Sequence, residues 1–286
     1  MTWKELTLNS AATDGWNPTG LDRLAKDGGL LRARGPVATY DSFDDGSRNG
    51  WRNHFSFSRP YPPVAPVTYP TVHGTHAMRL SPGDSPLGTA TSWESTGTYR
   101  NLSKFRDTGL ASWSCFFAWA GDGSLTELQY PFSSIDFMFD TQRWDSSSRS
   151  FYRFSYTPST APMQARWKIK DSAGSNVIVP NSDMCTAGGN ERKMNWNYVR
   201  FTIDQDANGG TGGYHELQVN SRVFDLRGLG AGAPADTPIS GSSWDNFSGG
   251  HNLGIAVTRA TAYPDLTNVE VLFDEVVTTF DDKRAA

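Results

Sequence analysis

Lys193-Met-Asn-Trp-Asn-Tyr-Val-Arg-Phe-Thr-Ile-Asp204, followed after a glycine-rich stretch by Tyr214-His-Glu-Leu-Gln-Val-Asn-Ser-Arg-Val-Phe-Asp225, is the part of the sequence that decides the fold. In its first arm Val199, Phe201 and Ile203 alternate with Arg200 and Thr202; in its second, Leu217 and Val219 alternate with polar neighbours. Side chains of an extended chain point to opposite sides in turn, so a period of two marks strands with one apolar face. Between the arms, Asp206-Ala-Asn-Gly-Gly-Thr-Gly-Gly213 supplies the residue types that reverse a chain.

Working outward, the same signal recurs on both sides. Strands are predicted at 39–43, 77–80, 112–120, 132–140, 150–156, 164–170, 198–204, 214–220, 253–258 and 268–279. Ile135, Phe137 and Phe139 face one way and Asp136, Met138 and Asp140 the other, which predicts one dry and one wet side per sheet. Many short strands and almost no amphipathic helix give an all-β fold: an antiparallel two-sheet β-sandwich, most simply a jelly roll. Residues 1–36 differ, with one short helical candidate, Leu21-Asp-Arg-Leu-Ala-Lys26, set between Asn17-Pro-Thr-Gly20 and Gly28-Gly29. They read as an N-terminal arm or cap, and 37–286 as a single sandwich domain. No period of 20–50 residues repeats, which argues against a propeller or solenoid.

The chain of 286 residues has 26 basic and 30 acidic side chains, a net charge of −4, and no dense basic block. Nucleic acid is therefore not an expected partner. The longest purely apolar run, Cys115 to Ala120, is six residues, against the roughly 18–20 of a spanning helix. No membrane span is expected. The opening Met1-Thr-Trp-Lys-Glu-Leu-Thr-Leu-Asn-Ser10 lacks the basic and apolar regions of a secretory signal, so synthesis in the cytoplasm is expected, although prior removal of a signal explains the same start. Cys115 and Cys185 either pair or stay free, and neither lies in a zinc spacing. His73 and His76, separated by Gly74-Thr75, read as flanking a turn.

The 193–225 segment resembles the hairpin of concanavalin A-like lectin/glucanase sandwiches (the LamG-like, jelly-roll superfamily), in which a Trp opens a strand and the return strand ends in Val-Asn-Gly or a close variant. Asp41-Ser-Phe-Asp-Asp-Gly-Ser-Arg-Asn-Gly-Trp51 is similar to the opening strand and turn of carbohydrate-binding jelly rolls, and Val269-Glu-Val-Leu-Phe-Asp-Glu-Val-Val-Thr-Thr279 to their closing strand. The likeness is spread over residues 39–280 and specifies no single family. It implies a fold more than a function, because such sandwiches carry lectins, glycosidases, lyases and structural modules.

Terminal strands of such sandwiches are neighbours, so the resemblance implies a structural Ca2+ held by Asp41, Asp44, Asp45 and Asp274, with Glu275 beside them. The alternative is that Asp44-Asp45-Gly46 is simply a turn. Aromatic faces stack on the C–H face of a sugar while polar neighbours bond its hydroxyls. The candidate platforms are Trp144, flanked by Arg143 and Asp145, and Trp93, Tyr99, Trp167 and Trp244, with Asn101, Arg166 and Asn246 as polar partners. For each, packing over a sheet edge is the competing reading. Trp113, Trp119 and Trp196 are assigned to the core.

An enzyme needs more than a platform. Asp136 and Asp140 share a face, but four residues of strand separate their α-carbons by about 13 Å, beyond the roughly 5–9.5 Å of glycosidase carboxyl pairs. The glucanase-type Glu-x-Asp-x-x-Glu motif is absent. For a lyase, Tyr214, His215 and Arg222 lie close in sequence, but Tyr214 and His215 face opposite ways unless a bulge intervenes. The expectation is a non-catalytic lectin-like, adhesive sandwich that binds a glycan or cell-surface polysaccharide. Its expected setting is a phage virion, as a tail or capsid decoration docked on other virion subunits through residues 1–36. The alternative is a glycoside hydrolase or polysaccharide lyase on the same sandwich.

Overall fold

The computed structural model describes residues 37–56, 64–67, 71–72, 74–80, 95–103, 108–120, 132–142, 148–157, 166–182, 189–190, 193–194, 196–210, 212–229, 235–238, 250–259 and 270–280. Strands dominate them: β1 Val37–Asp41, β2 Arg52–Ser56, β3 Val64–Val67, β4 Ala77–Leu80, β5 Ser95–Ser103, β6 Leu110–Ala120, β7 Phe132–Gln142, β8 Ser148–Thr157 and β9 Arg166–Lys170. There follow β10 Asn176–Ile178, β11 Gly189–Asn190, β12 Lys193–Met194, β13 Asn197–Asp204, β14 Gly213–Val219, β15 Arg222–Asp225, β16 Ala235–Pro238, β17 Gly250–Arg259 and β18 Glu270–Phe280. All ten predicted strands are present. No helix among the described residues is long and apolar enough to cross a membrane. The arm expected at 1–36 lies outside the described residues.

Among the described residues, two eight-stranded antiparallel sheets and a small β11–β12 ribbon hold the strands. The first runs β15-β14-β13-β6-β18-β4-β3, with β1 also on β18; the second runs β10-β9-β8-β7-β17-β5-β2, with β16 on β8. The opening and closing strands are neighbours, Asp41 standing opposite Val276. Between Asp274 and Val277 a bulge interrupts the pairing of β18 with β6.

Alternation decides what fills the space between the sheets. Trp113, Cys115, Phe117, Val199, Phe201 and Ile203 from the first sheet meet Ile135, Phe137, Phe139, Tyr152, Phe154 and Tyr156 from the second. The sheets interlock through rings: Phe201 lies 4.5 Å from Phe154, 5.0 Å from Phe137 and 5.1 Å from Trp113, centroid to centroid. Each such ring contributes roughly 1.5–3 kcal/mol by leaving water. Trp113 and Trp119 are in the core as expected, whereas Trp196, just ahead of β13, is only half-buried. Cys115 carries a free thiol in this core, and burial, then the nearby Asp274, push its pKa well up.

The outer sides are drier than alternation alone implies. Asp136, Asp140, Arg200 and Thr202 point away from the core, yet all are buried. Neighbouring side chains on the same side supply their partners: Arg200 pairs with Glu216, and Thr202 shares a hydrogen bond of 2.9 Å with Ser112. Such pairing is what a buried polar group requires.

The hairpin that opened the sequence reading is β13–β14–β15. Its first turn uses left-handed backbone at Asn208 and Gly209 (φ 53° and 70°). Gly212 is demanded twice, by φ 88° and because a Cβ there would lie 1.9 Å from the Tyr152 hydroxyl. The Val-Asn end of the motif has its own reason. Asn220 sits at φ 52°, its N–H donates to the Tyr198 carbonyl (2.8 Å), and its side-chain oxygen accepts from the Tyr198 N–H (2.9 Å). Asparagine tolerates that backbone and imitates a strand partner.

Candidate functional site

The outer side of the second sheet gathers carboxylates, amides, hydroxyls and cations on one face. Since Ile135, Phe137 and Phe139 of β7 point inward, Asp136, Met138 and Asp140 point outward. The register extends this face across the sheet: Arg153 is opposite Met138, Ser155 opposite Asp136, Gly254 opposite Met138, and Tyr99 opposite Gly254. Arg52 of β2 is opposite Tyr99 and exposed. On the other flank Lys168 of β9 is opposite Ser155.

Two networks hold the floor of this face. In one, the Asp136 carboxylate accepts from Ser155 Oγ at 2.5 Å and Ser134 Oγ at 3.3 Å, and is ion-paired with Arg153. In the other, Asn252 donates to Asp140 at 2.9 Å and accepts from Asn101, forming an amide–carboxylate ladder across β7, β17 and β5. Between the networks, Gly254 lets the Met138 methyl lie over the backbone, where a Cβ would sit 2.9 Å from it. The floor groups are buried, while Asn101, Arg153, Arg166 and Lys168 at the sides are partly accessible. A few convergent polar groups beside a Tyr and a thioether form a surface suited to hydroxyl-rich ligands.

No family model matches the chain, and no curated protein matches it. Solved structures do. The carbohydrate recognition domain of Emp47p has 10% identity and a TM-score of 0.46, covering 85% of this chain and 96% of that one. The CBM2 module of Lactobacillus casei BL23 phage J-1 evolved Dit has 10% identity and a TM-score of 0.42, covering 86% and 95%. Alginate lyase Aly36B, in a mutant bound to alginate trisaccharide, has 13% identity and a TM-score of 0.38, covering 71% and 81%. The antiparallel two-sheet architecture rests on the pairing of this chain's own strands. At these identities the likeness concerns architecture alone, and the site rests on its own residues.

Within this two-sheet sandwich several sequence expectations need correction. Trp167 is not a platform: it is wholly buried, 5.5 Å from Tyr156 and 5.8 Å from Phe137. Its neighbours Arg166 and Lys168 take the outer side, which leaves Trp167 the inner one. Tyr99 does belong to the outer face but is only 9% exposed, so it offers an edge rather than an open ring. Trp93, Arg143, Trp144, Asp145, Trp244 and Asn246 lie outside the described residues. Arg153, Lys168, Lys170 and Asn252 were missed as site residues, although the alternation of β8 and β9 was there to place Arg153 and the two lysines.

The calcium expectation does not fit the residues present. Asp41 accepts from Trp51 Nε1 at 3.1 Å and is ion-paired with Arg100 of the opposite sheet, so a guanidinium already occupies the place of a cation. Asp44 accepts from the Thr75 N–H at 2.7 Å, and Asp45 from the N–H and hydroxyl of Ser47 at 2.8 and 3.0 Å. Asp274 accepts from the N–H groups of Val72 and Glu275 at 3.1 and 2.8 Å, and Glu275 from the Tyr40 hydroxyl at 2.7 Å. Among the described residues no three His, Cys, Asp or Glu side chains gather as a cation would need. The Asp44-Asp45-Gly46 segment is a turn, with Gly46 donating to the Phe43 carbonyl at 2.8 Å.

A catalytic use of Tyr214 is also removed. The bulge does exist, since Thr202 is opposite Glu216 and Ile203 opposite Tyr214, leaving His215 without a counterpart. Tyr214 nevertheless points into the core, and its hydroxyl donates to the Lys170 carbonyl at 2.6 Å and accepts from the Arg153 N–H at 3.0 Å. Burial drives its pKa well up. It is a tie between the sheets and has no access to a substrate.

Proposed function

We propose that the chain is a non-catalytic carbohydrate-binding, adhesive sandwich that engages glycan on the outer face of β5, β17, β7, β8 and β9. The observation that carries this reading is the Asn101–Asn252–Asp140 ladder beside the Arg153–Asp136–Ser155 network, flanking the Met138 methyl that lies over Gly254. Amides, hydroxyls and a guanidinium are the groups that bond sugar hydroxyls, and their fixed partners preorganise them. The carboxylates are committed to holding that floor: Asp136 is neutralised by Arg153, which suits it poorly to acid–base work. The setting we infer is a virion surface, where a glycan-binding sandwich serves attachment to a cell.

A glycan array followed by titration calorimetry tests the binding. Wild-type protein should bind an oligosaccharide, and Asn101→Ala should weaken it about five- to tenfold, in line with one lost hydrogen bond. Binding abolished by Trp144→Ala but unchanged by Asn101→Ala moves the site to the loop singled out in the sequence. No binding to any glycan overturns the reading, and reducing-sugar or unsaturated-uronate release favours the enzyme. Mass spectrometry of purified phage particles tests the setting: peptides of the chain in intact virions support it, and their absence from virions of a phage that encodes the chain refutes it.

A further inference from the structure

The glycan face is not electrically neutral. β9 reads Arg166-Trp-Lys-Ile-Lys170, and because Trp167 and Ile169 are core residues, Arg166, Lys168 and Lys170 all stand on the outer side. All three are partly accessible. Alternate residues of a strand are about 6.6 Å apart, so the three cations form a row some 13 Å long. Next to them on β8 is Arg153, whose charge is matched by Asp136. Arg166, Lys168 and Lys170 form no ion pair among the described residues. The carboxylates that the described residues place on this face, Asp136 and Asp140, lie on β7, separated from β9 by the whole of β8. Beside the row, Ile178 of β10 is opposite Lys168 and 44% exposed, adding an apolar contact at its rim. This arrangement occurs in a chain of net charge −4, so the positive row is local and not a consequence of overall composition.

We infer that the ligand of this face is an acidic polysaccharide, bearing carboxylate or sulfate groups along its length, and that Arg166, Lys168 and Lys170 form its charge-reading edge. A row of cations along an extended strand matches a polymer with an anionic group on each sugar or every second sugar. The neutral hydrogen-bonding groups at Asn252 and Asn101 lie three and four strands from β9, about 14–19 Å across the sheet, a span that one polysaccharide chain covers. This inference rests on the proposed function and narrows its ligand class.

The test is calorimetric titration of the full chain with polygalacturonate, heparin, dextran and single-stranded DNA at low and at physiological salt, using wild type and the Arg166→Gln, Lys168→Gln, Lys170→Gln triple variant. The changed side chains are on the surface, and circular dichroism and melting confirm that the variant is folded. We expect polygalacturonate or heparin to bind, the better of the two showing whether carboxylate or sulfate is read. Affinity should fall steeply with salt and drop roughly ten- to a hundredfold in the triple variant, the sum of several partly exposed charge contacts. Binding of dextran in preference to both acidic polymers, or equal affinity of the triple variant, overturns the inference while leaving glycan binding intact. DNA bound as tightly as the acidic polysaccharides overturns it as well, since the row would then be a generic polyanion patch. Binding of no polymer, together with an empty glycan array, defeats the proposed function itself.

Discussion

Replacing Tyr214 by Phe isolates the tie between the sheets, because it removes one oxygen and leaves the ring against Phe154 and Tyr152, 5.2 and 5.3 Å away. That oxygen donates to the Lys170 carbonyl at 2.6 Å and accepts from the Arg153 N–H at 3.0 Å. A hydrogen bond contributes about 1 kcal/mol net, and a buried backbone group left without a partner costs about 1–3 kcal/mol. Some relaxation of β8 and β9 is available, so the expected loss is about 2–4 kcal/mol. The Tyr152 hydroxyl provides an internal control: it is buried and makes no hydrogen bond among the described residues. Tyr152→Phe should therefore lie within about 1 kcal/mol of wild type or be more stable, since a hydroxyl without a partner is costly to bury. Equilibrium urea unfolding of the three proteins, followed by tryptophan fluorescence, measures both differences. Equal destabilisation by the two substitutions, or a Tyr214→Phe loss below about 0.5 kcal/mol, would refute the reasoning.

Other expectations concern charge and metal. Asp41→Ala should cost about 3–5 kcal/mol, because it leaves Arg100 facing the core without its counterion; chemical denaturation reads the loss, and a cost under about 1 kcal/mol would contradict an inter-sheet pair. Calcium at millimolar concentration, or its chelation, should shift the melting temperature by less than about 1 °C, since RT ln(1 + [L]/Kd) vanishes without a site; a rise of several degrees would show the Asp41 to Asp274 region rearranging into a cage. Trp167→Ala should destabilise by about 3–5 kcal/mol, as core tryptophans do, and a variant as stable as wild type would return Trp167 to the surface. Hydrogen bonding from Arg227 lowers Asp225 to about 2. Its stabilisation is therefore present above the ordinary carboxylate range near 4 and lost as pH falls through about 2. The pair is more than half exposed, so Asp225→Asn should cost under about 1 kcal/mol at pH 7, a cost that shrinks as pH falls from about 4 through about 2.

The fold was legible because alternation is read one strand at a time and needs no partner. The strands that sequence reading missed are those with little alternation to see. In β5, Ser95-Thr-Gly-Thr-Tyr-Arg-Asn-Leu-Ser103, apolar residues are too few, and the segment is a strand because β17 and β2 both pair with it. Short edge segments such as Asn176–Ile178 and Ala235–Pro238 depend likewise on a neighbour. The site was less legible, for two reasons. Aromatic content drew the reading to Trp167, although Arg166-Trp-Lys-Ile-Lys170 already places Trp167 with Ile169 on the core side. The Asn101–Asn252–Asp140 ladder joins residues up to 151 positions apart, and only sheet register brings them together. The calcium expectation correctly placed the terminal strands side by side, but sequence could not show that Arg100 meets Asp41 from the other sheet.

The central claim, that the outer face of β5, β17, β7, β8 and β9 holds glycan, is tested most directly by a crystal structure of the full chain with the best-binding oligosaccharide. The account predicts sugar within hydrogen-bond distance of Asn101 or Arg153, lying across Gly254 toward Lys168. Sugar bound anywhere else on the molecule, with this face unoccupied, would contradict it.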